Sequence, residues 1–142
     1  MPDLTDLQVS ADNKITVYLT AAQILALFAT PVQVLPPLPA GFFYNCRSCI
    51  VKTSPGTAYA GGGTVQLIYA SGPVLAPIAT AAVIQNAAKQ IANVNMSLTT
   101  SGLAASQVDG QAMQVNNITG AFTTGNGTLA IVIYYSIEQT NA

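Results

Sequence analysis

Charge and histidine are what this 142-residue sequence has least of. Asp, Glu, Lys and Arg together make up 6% of the residues, whereas soluble domains average about 25%. Covering so uncharged a surface strips water from few ions, so burial against a partner costs little desolvation energy. Because interface centres are depleted of charged residues, the scarcity of charge predicts a surface that partners largely bury.

The absence of histidine removes the commonest general base and metal ligand. Beyond position 12 the only acidic residues are Asp109 and Glu138, and paired-carboxylate hydrolysis would require them to converge on one site. Nothing in their positions demands convergence, so we predict a protein that is not an enzyme and that uses no cofactor and no metal. An enzyme dependent on Asp109 and Glu138 is the least favoured of three hypotheses.

Basic residues are too few to indicate a nucleic-acid or membrane partner, and the net charge is −1. Phosphate binding needs clustered Lys and Arg, and the four basic residues are scattered along the sequence: Lys14, Arg47, Lys52 and Lys89. No segment approaches the ~20 apolar residues of a membrane span. The N-terminal stretch carries Asp3, Asp6 and Asp12 instead of a basic signal region, which predicts synthesis in a cytoplasm.

Cys46 and Cys49 form an isolated C-x-x-C motif inside a segment with strand composition, residues 42–51. A redox motif would need to begin a helix, and a zinc site would need more ligands than two thiols. The odd spacing in a regular strand would direct the two thiols to opposite faces. We therefore predict unpaired cysteines with a structural role.

Alternating apolar and polar residues predict an all-β chain of seven or eight antiparallel strands. The clearest strands are expected over residues 14–20, 32–35, 42–52, 64–70, 91–98, 111–118 and 128–138. The fold class is an antiparallel β-sandwich or jelly roll with one or two short helices. Residues 1–13 are predicted to be a flexible N-terminal arm, and residues 14–142 a single β-sandwich domain.

Two short helices are expected between the strands. Thr20 can cap a helix over residues 21–28, with a buried stripe made of Ile24, Leu27 and Phe28. An Ala-rich segment predicts a second helix over residues 79–88. The spacing of the apolar residues at positions 91 and 94 indicates a bulge in the strand that follows.

Glycine-rich segments predict turns and no phosphate site. Residues 61–63 are three glycines that precede a strand instead of a helix, with no Lys after them, which fits turns at positive φ. The Gly-Asn-Gly at residues 125–127 predicts a tight hairpin. Tyr59, in the loop over residues 53–63, is the best candidate for a partner contact among the tyrosines.

Several segments resemble small structural proteins of tailed bacteriophages over about residues 14–138. They are residues 17–27, TAYAGGG at 57–63, VQLIY at 65–69, FTTGNGTL at 122–129 and IVIYY at 131–135. The resemblance implies a capsid decoration or cement protein that binds the major capsid protein and its own copies, with a homotrimer favoured. It also implies a place on the capsid surface of the virion after synthesis in the host cytoplasm.

Candidate partner contacts are Asp3, Leu4 and Leu7 in the arm and Tyr59 in the loop. An arm can fold onto a neighbour upon binding, which is why its residues are included. A second hypothesis remains open, in which the chain is a carbohydrate- or host-surface-binding module of a tail or head fibre, with Tyr59 and the abundant Asn and Gln contacting sugars.

Overall fold

Residues 13–96, 102–117 and 119–141 are described by a computed structural model, and they form ten β-strands and three short helices. The strands are β1 (Asn13–Leu19), β2 (Val32–Leu35), β3 (Phe42–Thr53), β4 (Ala60–Gly61), β5 (Val65–Tyr69), β6 (Val74–Ala79), β7 (Ile91–Asn95), β8 (Met113–Asn117), β9 (Phe122–Thr124) and β10 (Leu129–Gln139). The helices are α1 (Ala21–Ala26), α2 (Ala81–Ile84) and α3 (Ala105–Val108).

Two four-stranded antiparallel sheets carry the architecture. Sheet A has the order β1-β10-β3-β7, sheet B has the order β2-β8-β5-β6, and β4 pairs with β9 in a small sheet C. The fold class predicted from the sequence, an antiparallel β-sandwich with short helices, is confirmed. Residues 1–12 of the predicted arm lie outside the described residues, and β1 begins at Asn13, one residue before the predicted boundary.

The core lies between sheets A and B because the strands turn most of their apolar side chains inward. Ile131 and Ile133 of β10 and Leu67 of β5 are fully buried, and each such side chain contributes about 1.5–3 kcal/mol by burial. Tyr69 of β5 spans the sandwich, because its hydroxyl donates to the backbone oxygen of Tyr44 in β3 at 2.7 Å. The two sheets are therefore joined by a buried hydrogen bond as well as by packing.

Helix α1 begins at the predicted cap but is shorter than predicted. The Thr20 hydroxyl accepts from the Gln23 backbone N–H, and the Gln23 side chain accepts from the Thr20 backbone N–H. Ile24 and Leu27 are buried as expected, whereas Phe28 is 52% exposed. The prediction for Phe28 is wrong because the helix ends at Ala26, so Phe28 no longer follows the helical stripe.

The Ala-rich segment contains a strand that sequence reasoning missed. Residues of β6 pair with β5 at the edge of sheet B. Pro77 points outward in this edge strand, where the backbone N–H that proline lacks is not needed for pairing with β5. The helix predicted over residues 79–88 is confined to α2, which starts after Thr80. Two register shifts in the β5–β6 pair break the alternation that would have revealed the strand.

The glycine run at residues 61–63 contributes Gly61 to β4 of sheet C and forms the predicted turn at positive φ. Gly61 and Gly62 have φ of 68° and 60°, a left-handed conformation that favours glycine. The tight hairpin predicted at residues 125–127 is not present. The strands on either side of that turn belong to different sheets, since β9 pairs with β4 while β10 pairs with β1 and β3.

Strand β7 lacks the predicted bulge. Its register with β3 runs without a shift from Lys52↔Ile91 to Ser48↔Asn95. Ile91 therefore faces outward and is 67% exposed, while Val94 packs against the core. Helix α3 is a third helix, in addition to the two expected from the sequence.

Candidate interaction surfaces

The outward side of sheet A is a mixed surface of basic, polar and apolar residues. Cross-strand neighbours in an antiparallel sheet share a face, so the register identifies its members. We call the part of it that is level with β1 and β7 the cationic face, and it consists of Lys14, Thr16 and Tyr18 of β1, Ala130, Val132 and Tyr134 of β10, Ser48, Ile50 and Lys52 of β3, and Ile91, Asn93 and Asn95 of β7.

Basic residues that are scattered in the sequence come together on this side of the molecule. Lys14 and Lys52 are outward, exposed positions in their strands, and Lys89 precedes β7. Arg47 donates to the hydroxyl of Ser136 in β10, which lies on the same side of sheet A but is fully buried. The alternation of β1 and β3 could have placed Lys14 and Lys52 outward, but only the strand order shows that their strands flank β10 in one sheet.

One end of the cationic face holds an open recess of about 280 Å³, lined mainly by polar and basic residues. Tyr18, Lys52 and Lys89 line it, together with residues of the 53–55 and 128–130 segments. The Tyr18 side chain is 74% exposed. An exposed ring beside two ammonium groups can take an anionic ligand that also offers apolar contact.

The outward side of sheet B carries no charge at all. The four strands of sheet B contain no Asp, Glu, Lys or Arg. We call this side the amide face, and it consists of Gln33, Gln66, Ile68, Val74, Pro77, Gln114 and Asn116. Such a surface can be covered without stripping water from an ion.

Two side-chain oxygens on the amide face are buried without a hydrogen-bond partner in the structure, Oε1 of Gln66 and Oδ1 of Asn116. These two residues are cross-strand neighbours in the β5–β8 pair. A buried acceptor left unpaired costs about 1–3 kcal/mol. Rotation of either amide toward the N–H groups of a partner would remove that cost.

Tyr59 does not offer its side chain to a partner in this structure. Its ring is 5% exposed, packs edge-on against Phe122 with ring centres 5.4 Å apart, and its hydroxyl donates to the Gly127 backbone oxygen. Burial raises the pKa of the phenol. A Cβ on Gly125 would clash with the Tyr59 ring, so the loop is built around the buried tyrosine.

The expectation for Tyr59 rested on an exposed loop side chain and is corrected by this burial. The sugar-binding hypothesis rested on the same residue and on the abundant Asn and Gln, and it loses its aromatic contact. The other candidate contacts, Asp3, Leu4 and Leu7, lie outside the described residues and stay predictions.

The two cysteines both face the core, not opposite sides of the sheet. The register of β3 with β10 shifts at the Tyr134/Tyr135 step and skips Arg47, so a bulge restores the inward direction at Cys49. Cys46 and Cys49 are 1% and 0% exposed and unpaired. Burial raises the pKa of each thiol to about 12, with the Cys49 thiol adding to the effect at Cys46.

The two acidic residues of the described chain have separate structural partners. Oδ1 of Asp109 accepts from the Gly41 backbone N–H at 2.7 Å and from the Thr140 hydroxyl at 2.9 Å. Oε1 of Glu138 accepts from the Ser136 hydroxyl at 2.8 Å. Asp109 thus joins the segment before β8 to the ends of β3 and β10, and no shared hydrogen bond links it to Glu138.

Neither a metal centre nor a membrane span is evident in the described residues. Across residues 13–96, 102–117 and 119–141, no group of three His, Cys, Asp or Glu side chains could hold a metal ion. In the same part of the chain, no helix is both long and apolar enough to cross a bilayer.

Solved structures with a similar arrangement of strands include a viral capsid component. A chain of the cyanophage Pam1 capsid asymmetric unit aligns with a TM-score of 0.52 and 15% identity, over 89% of this chain and 83% of that chain. The likeness is one of fold. A chain from Bacillus endospore appendages, described as a novel family of disulfide-linked pili, aligns over 89% and 87% of the two chains at 13% identity. Its TM-score is 0.34. No family model matches the sequence, and no curated protein matches it.

Proposed function

We propose that this chain is a structural, non-catalytic protein of a virus particle, which decorates or cements a bacteriophage capsid by binding capsid subunits and its own copies. One observation carries the proposal: a complete sheet face has no charge, on a sandwich whose fold is similar to that of a capsid component. The proposed location is the capsid surface of the virion, after synthesis in the host cytoplasm.

The amide face is the surface that we assign to the capsid subunit. Its Gln and Asn side chains both donate and accept hydrogen bonds, and the exposed side chain of Val74 adds apolar area at its edge. Pairing the amide oxygens of Gln66 and Asn116 with a partner would turn a cost of the free protein into a gain on binding.

Self-association is the second part of the proposal. The whole chain carries nine charged residues over an accessible surface of 7169 Å², so contacts between copies also displace few ions. A homotrimer is the oligomer that the resemblance to phage decoration proteins favours.

The first test is the copy number of the chain in purified particles, measured by quantitative mass spectrometry against the major capsid protein. Hundreds of copies per particle would support decoration of the shell. A handful would place the chain at the tail or a vertex and favour host-surface binding. Absence from the particle would refute the proposal.

The second test adds one charge to the amide face. Gln114→Glu lies at the centre of that face, and we expect it to lower the number of copies bound to particles by about tenfold or more, because the carboxylate must be desolvated on binding. Ala22→Glu, on the exposed side of α1, is the matched control and should bind normally. Equal binding by both variants would remove the amide face from the proposal.

A further inference from the structure

Positive and negative charges are separated between two parts of this chain. The described residues contain all four basic residues but only two acidic ones, Asp109 and Glu138, and so carry a net charge of +2. Residues 1–12 contain Asp3, Asp6 and Asp12 and no Lys or Arg, which gives −3 from side chains. The net charge of −1 therefore hides two regions of opposite sign.

The basic residues at the recess end of the cationic face have no acidic neighbour in the described chain. Lys52 and Lys89 line the recess beside Tyr18. Glu138 lies eight residues along β10 from Ala130, which also lines the recess, and this is about 27 Å away at the rise of a strand. Asp109 is held by Gly41 and Thr140.

Apolar area accompanies the charge at this end of the face. Tyr18 is 74% exposed and Ile91 is 67% exposed, and they occupy the same cross-strand row as Lys52 and Ala130. Large exposed side chains in one row mark an interaction site more strongly than isolated ones do. A matching ligand would combine carboxylates with a few aliphatic side chains.

We infer that the Tyr18–Lys52–Lys89 end of the cationic face binds the acidic N-terminal segment, residues 1–12, of a second copy of this chain. The segment supplies that chemistry, with Leu4 and Leu7 among its aspartates. The inference rests on the self-association in the proposed function and assigns it a surface.

The position of Asn13 favours a second copy over the chain's own segment. Residues 1–12 join β1 at Asn13, the end of the strand opposite to Tyr18, which is about 17 Å away along β1. The chain's own segment would have to reverse direction at Asn13 to reach the recess. A segment from a neighbouring copy can approach from any direction.

Charge reversal in full-length chains tests the inference. Lys52→Glu with Lys89→Glu reverses the recess, and Asp3→Lys with Asp6→Lys reverses the segment. We expect each double variant alone to self-associate about tenfold or more weakly than the wild type in sedimentation velocity at low salt. An equal mixture of the two should recover association, because each segment then meets a recess of opposite sign.

Three controls make the result decisive. Lys14→Glu changes the charge by the same amount as Lys52→Glu but lies toward the other end of β1, and it should weaken association less than about twofold. Wild-type association should weaken at 0.5 M salt, where screening is strong. Circular dichroism should show that the variants, all at exposed or N-terminal positions, stay folded.

Several outcomes would overturn the inference. A wild type that stays monomeric, association unaffected by either reversal, or a mixture that fails to recover association would each do so. Binding of a duplex DNA oligonucleotide that is lost with Lys52→Glu and Lys89→Glu, without any change in association, would assign the recess to nucleic acid instead.

Particle measurements separate this inference from the proposed function. Hundreds of copies per particle with no segment-dependent association would leave the function standing and refute the inference. If the chain is absent from particles but associates through its N-terminal segment, the inference stands and the proposed function is refuted.

Discussion

The two outer faces of the sandwich differ in chemistry although each belongs to a four-stranded antiparallel sheet. The strands of sheet A carry Lys14, Arg47, Lys52 and Glu138, whereas those of sheet B carry no charged residue. In a chain with so few charges, concentrating them on one side leaves the opposite side cheap to cover. Low overall charge is therefore compatible with two chemically distinct outer faces.

The two sheets also differ in regularity. In sheet A, β3 and β10 pair over eleven positions with one register shift. In sheet B the strands are four to six residues long, and both outer pairs contain register shifts. Long ladders make sheet A the framework of the fold, and sheet B is fixed to it largely through the core.

The largest expected effect comes from breaking the link between the sheets. Tyr69→Ala removes a fully buried ring and the hydrogen bond to Tyr44, and should lower the free energy of unfolding by about 3–5 kcal/mol. Tyr18→Ala, on the cationic face, removes an exposed ring and should change it by less than about 0.5 kcal/mol. Urea denaturation measures both, and similar losses would contradict the assigned burial.

Alkaline pH should lower the free energy of unfolding through the two buried thiols of β3. Their folded pKa is about 12, and an unfolded cysteine titrates near 8.5. Between those values the unfolded chain loses protons that the folded chain keeps, so stability falls as pH rises, by about 1.4 kcal/mol per pH unit for each thiol.

The pH effect is measured by urea denaturation between pH 8 and 10.5 with reductant present. A Cys46→Ala, Cys49→Ala double variant retains the tyrosines and should show a shallower slope, whatever its stability at pH 7. Parallel slopes for the two proteins would show that the thiols are not buried in their neutral form.

A smaller loss of stability is expected at Asp109, whose carboxylate links the segment before β8 to the ends of β3 and β10. Asp109→Ala removes the acceptor of the Gly41 N–H and the Thr140 hydroxyl, and should cost about 2 kcal/mol in thermal or urea unfolding. Asp109→Asn keeps an oxygen acceptor and should cost about half as much. A neutral effect of Asp109→Ala would mean that this tie adds nothing to stability.

The smallest expected effect tests which side chains of β7 face outward and which face the core. Ile91→Thr, on the outer side, should change the free energy of unfolding by less than about 0.5 kcal/mol. Val94→Thr, three residues later and packed against the core, should cost about 1–2 kcal/mol because it buries a hydroxyl. A larger loss for Ile91→Thr than for Val94→Thr would instead support the bulge that the sequence spacing indicates.

Alternation in the sequence was sufficient to predict the long regular strands. It located β1, β3, β5, β8 and β10, and the Thr20 cap located the start of α1. It failed where a residue's direction depends on a partner strand. The bulge that turns Cys49 inward arises opposite Tyr134 and Tyr135, about 85 residues away in the sequence.

The candidate surfaces were less predictable than the fold. Low charge predicted burial by partners, but the separation into a cationic face and an amide face depends on strand order, which no local pattern encodes. Tyr59 was assigned to an exposed loop because its partners, Phe122 and Gly127, belong to a distant turn. Residues 1–12 contributed charge and composition only.

The position of β10 has a consequence for how the chain folds during synthesis. β1 and β3 do not pair with each other but lie on either side of β10, which leaves the ribosome more than 70 residues after both of them. Sheet A therefore cannot close until the last strand has emerged, and until then the apolar strands β1 and β3 have edges without their partner. Such delayed, long-range pairing is slow and exposes the nascent chain to aggregation, so we expect its yield in cells to depend on chaperones and growth temperature more than its native stability would suggest.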